Sequence, residues 1–316
     1  MKQAANQVLM IRPAGFGFNA ETAASNAFQH ESALTPPLLL QQAQQEFDAM
    51  AAQLRSVGIT VTVLEDTEAP SKPDAVFPNN WFCIMPDGSF TLFPMQAENR
   101  RTERTEEIIA LIKNKYQISA FKDWSKYEYV NWFLESTGSM VMDHINRIIY
   151  ACLSQRTHQQ MVEKFAKSTG YTACCFNATD PLGNPIYHTN VIMHIGDGYA
   201  VLCGECITNH LEKERVYESL VNSGLIIIEI SMHQVHEFAG NMLQVKNKRE
   251  EKVTILSRRA YDSLSNLQIK ALTAYTWLLP VPLDIIEKVG GGSVRCMLAE
   301  IFAKPIEVLY ENDMAS

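Results

Sequence analysis

A recurring pattern of strands and turns constrains the fold of this chain more than any other feature of its sequence. Pairs of short apolar segments flank turn-forming residues four times, and the turn centres are Asp87, Asp143, Asp197 and Lys248. These centres lie 56, 54 and 51 residues apart, a spacing that indicates a repeat architecture. Strand-type segments on both sides of a short polar turn predict a β-hairpin in each repeat.

Each of the first three hairpins is followed by an amphipathic helical stretch and then by one more strand. The predicted helices cover residues 101–114, 156–169 and 211–222. The predicted third strands cover residues 116–121, 171–176 and 225–230. The repeating unit is therefore strand, turn, strand, helix, strand.

The two ends of the chain together supply the parts of a fifth unit. Its predicted parts are residues 294–302, a strand at 8–12, a helix around 38–56 and a strand at 59–64. Joining them closes the repeats into an α/β ring of five units, which hides most sheet edges. No linker or low-complexity segment interrupts the chain, so we predict one domain over residues 1–316.

Composition and charge narrow the classes of function. Lys and Arg total 27 against 35 Asp and Glu, and this net charge of −8 argues against a nucleic-acid binder and favours a small-molecule substrate. No signal-peptide core or spanning apolar run is found, so we expect a cytoplasmic protein that does not enter membranes. The seven scattered cysteines predict reduced thiols.

A closed ring brings the same point of every unit to its central axis. At or just before the first strand of each unit lie, in chain order, Asn80, Glu135, Asn190, Asn241 and Cys296. They are spaced by 55, 55, 51 and 55 residues. We therefore expect these side chains to converge on one site.

Cys296 is the strongest candidate for chemistry, because it follows the glycine-rich segment GGGSVR. Glycines permit tight backbone geometry and could aim several N–H groups at a thiolate or a developing charge. The alternative is an inert, buried strand cysteine behind a flexible loop.

A thiolate nucleophile needs a proton donor for its leaving group, and His188 shares the repeat phase of the other axial positions. Glu135 follows an apolar triplet and is suited to accept a hydrogen bond from His188 or from a substrate N–H. The alternatives are a structural histidine at a loop end and a surface carboxylate without a role.

A zinc site formed by Cys203, Cys206 and His210 is a competing interpretation. It lacks a second ligand pair nearby, and Cys203 ends an apolar strand. We predict neither a metal nor an organic cofactor.

Several segments resemble the guanidino-group modifying enzymes, the superfamily of arginine deiminase, dimethylarginine dimethylaminohydrolase and glycine amidinotransferase. GGGSVRCM resembles their cysteine loop, YHTNV their His-x-Asp segment, and LESTGSMVM with LSQRTH the stretch that ends in a Ser-x-Arg-Thr turn. RPAGFGFN, FPNNWF and FAGNMLQV are most similar to a bacterial branch of amidinotransferase-like or citrulline-utilisation hydrolases. The resemblance spans nearly the full chain and implies a five-bladed α/β propeller, or pentein.

The resemblance also implies roles for individual residues. Cys296 would be the nucleophile, His188 the general acid and base, and Glu135 the carboxylate that orients them. Arg156 and Arg100 fall where relatives hold the substrate carboxylate, and Arg101 is the fallback for Arg100. Asn80, Asn190 and Asn241 would contact the substrate, which would be a small-molecule amino acid. Whether the protein forms a homo-oligomer stays open.

Asn80 and Asn190 indicate which chemical group of the substrate reacts. Relatives that act on guanidinium place carboxylates where this chain has Asn80 and Asn190. A buried guanidinium without carboxylates would be poorly compensated, whereas a neutral ureido group needs only amide partners. The preferred hypothesis is therefore hydrolysis of citrulline to ornithine, ammonia and carbon dioxide through an S-carbamoyl enzyme.

Two alternative functions and one question about a loop remain open at this stage. Arginine-type guanidino hydrolysis or amidino transfer is the first, because succinylarginine dihydrolase relatives carry an asparagine near this position and take a guanidinium. A non-catalytic binding module, as in translation-factor relatives of this fold, is the second. The segment 13–36 is either a mobile lid or a packed loop.

Overall fold

Five three-stranded sheets contain all strands of residues 2–306, which are the residues that this computed structural model describes. In chain order the strands are β1 (Gln7–Arg12), β2 (Thr60–Glu65), β3 (Phe82–Ile84), β4 (Ser89–Leu92), β5 (Ala120–Asp123), β6 (Val141–Asp143), β7 (Ile148–Cys152), β8 (Thr172–Phe176), β9 (Met193–Gly196), β10 (Tyr199–Leu202), β11 (Ile226–Glu229), β12 (Leu243–Lys246), β13 (Lys252–Ser257), β14 (Trp277–Val281) and β15 (Ala299–Glu300). The sheets are β15-β1-β2, β3-β4-β5, β6-β7-β8, β9-β10-β11 and β12-β13-β14. Residues 1 and 307–316 of the predicted domain lie outside the described residues.

Every sheet has the same pairing, and this confirms the predicted repeat and the α/β class. Its first two strands are antiparallel, and its second and third strands are parallel. Parallel neighbours need a crossover connection, which helices supply in each unit. The helices are α1 (Ala20–Ala23), α2 (Pro36–Ser56), α3 (Glu98–Arg101), α4 (Glu106–Lys115), α5 (Ser136–Ser139), α6 (Gln159–Thr169), α7 (His210–Asn222), α8 (Met232–His236), α9 (Arg258–Ser263), α10 (Asn266–Thr273) and α11 (Val294–Met297).

Two predicted elements differ from the structure for local reasons. The helix predicted over 101–114 is broken into α3 and α4, because the hydroxyl of Thr105 accepts a hydrogen bond from the Ile108 N–H and starts a new helix. The strand predicted over 116–121 begins only at residue 120. Tyr116 and Gln117 instead bond to the segment that follows β15.

The unit that joins the two ends of the chain is confirmed, with one correction. Strand β1 pairs in parallel with β2 and antiparallel with β15, where Val8 lies opposite Glu300. The segment 294–302 supplies the first strand of this unit only in part, because residues 294–297 form helix α11. Only Ala299 and Glu300 remain as strand.

Burial shows which strand of each sheet lies inside. Strands β3, β6 and β9 are buried at every position, whereas β2, β5 and β11 are largely exposed or half-buried. The first strands of neighbouring sheets contact one another in the pairs β15 with β3, β6 with β9 and β9 with β12. The first strands therefore lie at the centre and the third strands at the periphery.

The helices cover the apolar sheet faces. Helix α2 buries the regularly spaced side chains Leu39, Ala43, Phe47, Met50 and Leu54. This spacing gives one apolar stripe, and it packs against the sheet that contains β1. Among residues 2–306 we find no helix with the length and apolar character that crossing a membrane requires.

Candidate active site

A short turn precedes the first strand of each sheet, and these turns meet at the centre of the molecule. Asn80 ends the 3-10 turn Pro78–Asn80, Glu135 precedes α5, and Asn190 lies in the 3-10 turn Thr189–Val191. Helix α5 contacts both of these 3-10 turns, and α11, which contains Cys296, contacts the first. The Asn241 side chain donates a hydrogen bond to the Asn190 carbonyl at 3.1 Å. The five residues at the equivalent repeat position thus lie in one region.

The thiol of Cys296 is held by two amide groups. Nδ2 of Asn241 lies 3.4 Å from its Sγ, and Nδ2 of Asn190 lies 3.6 Å from it. The Asn241 oxygen accepts a hydrogen bond from the Arg295 N–H at 2.9 Å, which fixes the orientation of its amide. Both amide groups can donate a hydrogen bond to the sulfur.

The glycines before Cys296 were expected to direct N–H groups at the thiolate, but in the structure they have a packing role. Sγ accepts from the two side-chain amides, and among residues 2–306 no glycine N–H donates to it. A Cβ on Gly290 or Gly292 would lie 2.7 or 2.8 Å from the Phe77 ring, and Gly291 has a φ of +63°. The carbonyls of Gly290 and Gly291 accept hydrogen bonds from the side chains of Gln29 and Asn26. The glycines therefore allow close approach of a ring and a loop.

His188 and Glu135 form a buried pair. Nε2 of His188 lies 2.8 Å from Oε2 of Glu135, and Oε1 accepts a hydrogen bond from the Gln96 N–H at 3.0 Å. Burial would raise the pKa of Glu135, but the charge of Arg156 and the hydrogen bond from His188 outweigh it and lower that pKa to about 2. Burial lowers the pKa of His188 to about 4 against the opposing effect of Glu135.

These pKa shifts fix the protonation of the pair. An ionised Glu135 only accepts hydrogen bonds, so the neutral His188 ring carries its proton on Nε2. Nδ1 is then the unprotonated nitrogen. A Cβ added to Gly138 would lie 2.9 Å from Nδ1, so this nitrogen packs close to helix α5.

Arg100 is bound by protein groups in this structure. Nε and Nη2 donate to Glu103 at 2.7 and 3.0 Å, and Nη1 donates to Oδ1 of Asn80 at 2.7 Å. Burial opposes the charge of Arg100, but Glu103 and Asp74 raise its pKa above the ordinary value. The fallback Arg101 donates to the carbonyls of Met95 and Gln96.

Arg156 is held mainly by neutral partners. Its guanidinium donates to the Ser25 hydroxyl at 2.7 Å and to the Thr22 carbonyl at 2.9 Å, and it lies 4.8 Å from the centre of the Tyr187 ring. Its distance to Glu135 is 3.6 Å. Arg156 thus joins the carboxylate of Glu135 to segment 22–25.

Several of these groups line one small pocket of about 20 Å³. It is lined by Cys296, His188, Asn80, both arginines, the three glycines, and parts of segment 22–26. Sequence reasoning missed a further member, Asp74, which is 2% exposed. Its Oδ2 accepts hydrogen bonds from Asn19 and Thr22, whereas its Oδ1 has no hydrogen-bond partner. The sequence signal was an acidic residue in the apolar stretch DAVFPNNWF.

The competing zinc interpretation finds no support in geometry. Cys203 and Cys206 are buried, whereas the side chain of His210 is 81% exposed and pairs with Glu214. Within residues 2–306 no group of three or more His, Cys, Asp or Glu side chains is placed to hold a metal.

Comparison with solved structures shows the same fold in three other proteins. The N-terminal domain of ArgZ, a cyanobacterial arginine dihydrolase, superposes with a TM-score of 0.72 at 14% identity, covering 93% of this chain and 97% of that domain. AgrE in complex with L-arginine gives 0.73 at 15% identity, covering 93% of this chain. The chain spans 40% of the full-length ArgZ and AgrE chains.

The third structure is a cysteine-to-serine variant of dimethylarginine dimethylaminohydrolase (DDAH) from Pseudomonas aeruginosa with citrulline. Its TM-score is 0.65 at 16% identity, with 94% of this chain and 99% of that chain covered. No curated protein sequence matches this one. A sequence-family model described as eukaryotic N,N dimethylarginine dimethylhydrolase matches residues 12–303. The chain therefore belongs to the N,N-dimethylarginine dimethylhydrolase family of the pentein amidinotransferase superfamily, a family of hydrolases that act on guanidino C–N bonds.

Proposed function

We propose that this enzyme hydrolyses the ureido group of a citrulline-like amino acid, with Cys296 as the nucleophile. The observation that carries the proposal is the cavity in which Cys296, His188 and Asn80 meet. The preferred reaction converts citrulline and water to ornithine, ammonia and carbon dioxide. Cys296, His188 and Glu135 are the proposed catalytic residues.

Nucleophile activation follows from the protonation of the pair. With a pKa of about 4, His188 is neutral at pH 7, and its unprotonated Nδ1 can take the proton of the Cys296 thiol. The amides of Asn190 and Asn241 then stabilise the thiolate. Glu135 keeps the ring in the required tautomer and stabilises the imidazolium that forms.

The reaction then proceeds in two hydrolytic stages. The thiolate of Cys296 attacks the ureido carbon, and the bond from this carbon to the ornithine nitrogen breaks as His188 gives that nitrogen its proton. This leaves a carbamoyl group on the sulfur. Water, deprotonated by His188, attacks the carbamoyl carbon, the C–S bond breaks, and the released carbamate decomposes to ammonia and carbon dioxide.

Asn80 supports a ureido substrate over a guanidinium substrate. Arg100 can only donate hydrogen bonds, so the Asn80 atom 2.7 Å from it must be the oxygen. Its amide nitrogen donates one hydrogen to Asn79 and has a second one available. A ureido oxygen can accept this second hydrogen, whereas a guanidinium has no acceptor to offer.

The remaining polar groups are proposed to bind the amino-acid end of the substrate. Arg156 is better suited to its carboxylate than Arg100, because the neutral Ser25 and Thr22 partners of Arg156 are more easily replaced than Glu103. The unpartnered Oδ1 of Asp74 suits the α-ammonium group.

Product analysis tests the proposal. Purified enzyme is incubated separately with citrulline and with arginine, and ornithine, ammonia and carbon dioxide are measured, with Cys296→Ala as the matched blank. We expect the wild type to form ornithine from citrulline and the Cys296→Ala variant to form none. Ornithine from arginine but none from citrulline would contradict the ureido assignment and leave the cysteine mechanism standing.

Guanidino hydrolysis or amidino transfer is the second candidate, and Asp74 favours it. Its free carboxylate oxygen could pair with a guanidinium, and the fold is shared with an arginine dihydrolase. A non-catalytic binding module is the alternative from another class. It would be supported if Cys296 were alkylated no faster than the other six thiols at neutral pH.

We also propose that the five sheets close into one propeller domain. The contacts between neighbouring first strands and the sheet shared by β1 and β15 support this arrangement. A cytoplasmic location and the absence of a cofactor stay predictions, and the oligomeric state stays open.

A further inference from the structure

A buried carboxyl group lies directly behind the loop of the nucleophile. Glu287 is 1% exposed and lies in the π-helical turn Ile286–Gly290, which runs into the three glycines and then into α11. π-helical turns are rare and often occur at functional sites. Glu287 does not line the cavity and has no part in the mechanism above.

Two hydrogen bonds connect Glu287 to the nucleophile. The Ser293 hydroxyl donates to Oε1 of Glu287 at 2.5 Å. The Ser293 carbonyl accepts from the Cys296 N–H at 3.0 Å, and this bond opens the turn that presents the thiol. The contact between Glu287 and Ser293 therefore spans the three glycines, the part of the loop with the greatest backbone freedom.

The other end of the π-helical turn is anchored to helix α2. The carboxylate of Glu46 accepts hydrogen bonds from the N–H groups of Ile285 and Ile286 at 2.8 and 3.0 Å. The turn is thus fixed at its start by Glu46 and tied forward to the nucleophile by Glu287.

The charged neighbours of Glu287 come from three directions. Arg259 of α9 favours its ionised form, Asp284 just before the turn disfavours it, and Glu46 faces the start of the turn from α2. Burial raises the pKa of Glu287 to about 7, against hydrogen bonds from Ser257 and Ser293 that lower it. The carboxyl group of Glu287 therefore changes charge within the pH range in which most enzymes work.

We propose that Glu287 is a positioning residue whose carboxylate holds Ser293 and, through it, the turn that presents the Cys296 thiol. The inference rests on the proposed role of Cys296. An ionised carboxylate is a stronger acceptor for the Ser293 hydroxyl than a protonated one. The turn is therefore most firmly held when Glu287 is charged.

Alkylation of Cys296 tests the proposal independently of turnover. The rate at which iodoacetamide modifies Cys296 is followed by peptide mass spectrometry in the wild type, Glu287→Ala, Glu287→Gln and Ser293→Ala. Ser263→Ala is the matched control, because that hydroxyl donates to the Ala260 carbonyl of its own helix.

We expect Glu287→Ala and Ser293→Ala to lower the alkylation rate and kcat about 10–100-fold at pH 7.5, since displacements near 1 Å have effects of this size. Glu287→Gln should stay within about threefold of the wild type, because its amide oxygen still accepts from Ser293. The wild-type rate should also show an ionisation near pH 7 that Glu287→Gln lacks.

The proposal would be overturned if Cys296 were alkylated at the wild-type rate in Glu287→Ala and Ser293→Ala. Equal losses in Glu287→Gln and Glu287→Ala with an unchanged pH profile would also overturn it, because they would indicate general destabilisation. If the wild type hydrolyses neither citrulline nor arginine, the proposed function fails, whereas the alkylation comparison still decides the role of Glu287.

Discussion

Adding one methyl group at Gly138 should displace Asn80 and His188, which we propose to act on the substrate, while leaving the fold intact. A Cβ built at this position lies 2.5 Å from Nδ2 of Asn80 and 2.9 Å from Nδ1 of His188. Ordinary contacts begin at 3.4 Å, so Asn80 must move by about 0.9 Å and His188 by about 0.5 Å. Both residues are buried, and neither can turn into solvent.

The expected effect on catalysis follows from these displacements. Misplacement of a reacting group by about 1 Å reduces catalysis about 100-fold, so Gly138→Ala should lower kcat for citrulline about 10–100-fold. The effect on stability should be smaller. Overpacking costs about 1–3 kcal/mol, and alanine in a helical turn recovers about 1 kcal/mol relative to glycine.

The assay compares Gly138→Ala with Gly17→Ala, where a Cβ meets nothing within 4 Å. Ornithine release gives kcat, and thermal unfolding gives the stability of each variant. We expect a loss of kcat in Gly138→Ala alone, with a Tm within a few degrees of the wild type. Unchanged kcat in a folded Gly138→Ala protein would refute the assignment of His188 and Asn80 to the reaction.

Four further outcomes are expected. Cys296→Ala should unfold at the wild-type temperature and release no ornithine, and residual turnover would remove Cys296 as the nucleophile. Asn80→Asp should lower kcat/KM for citrulline about 10–100-fold. The substitution replaces a buried hydrogen-bond donor with an acceptor, and the lost interaction is worth about 1–3 kcal/mol. The ratio of arginine turnover to citrulline turnover should rise. Because neutral His188 must accept the thiol proton, kcat/KM should fall as the pH is lowered through about 4, and a flat profile would contradict this role. The lowered pKa of His188 also contributes stability that is present above about pH 6.5 and is lost as the pH falls towards 4, which urea unfolding at several pH values would measure.

The hairpins could be predicted from the sequence because local alternation determines them. Each first strand, turn and second strand lies within about fifteen residues, and the repeat spacing then places Asn80, Glu135, Asn190, Asn241 and Cys296 together. The fold of the repeats and the convergence of these residues follow from pattern and period alone.

What could not be predicted depends on partners that are distant in sequence. The glycines at 290–292 are required by Phe77 and by segment 26–29, which no local pattern reveals. Arg100 was expected to be available to a substrate, yet it donates to Asn80, which is 20 residues away, as well as to its near neighbour Glu103. Asp74 lies in the cavity because Asn19 and Thr22 hold it there.

The pairing of β1 with β15 has a consequence for how this enzyme folds. Val8 contacts Glu300, so the sheet next to Cys296 forms only after the chain closes a loop of nearly its whole described length. Contacts of such large sequence separation form slowly. A ribosome-bound chain that lacks β15 has four of its five sheets encoded but cannot complete the sheet next to Cys296. The enzyme should therefore gain activity in a single late step, and refolding kinetics should show recovery of turnover lagging behind recovery of secondary structure.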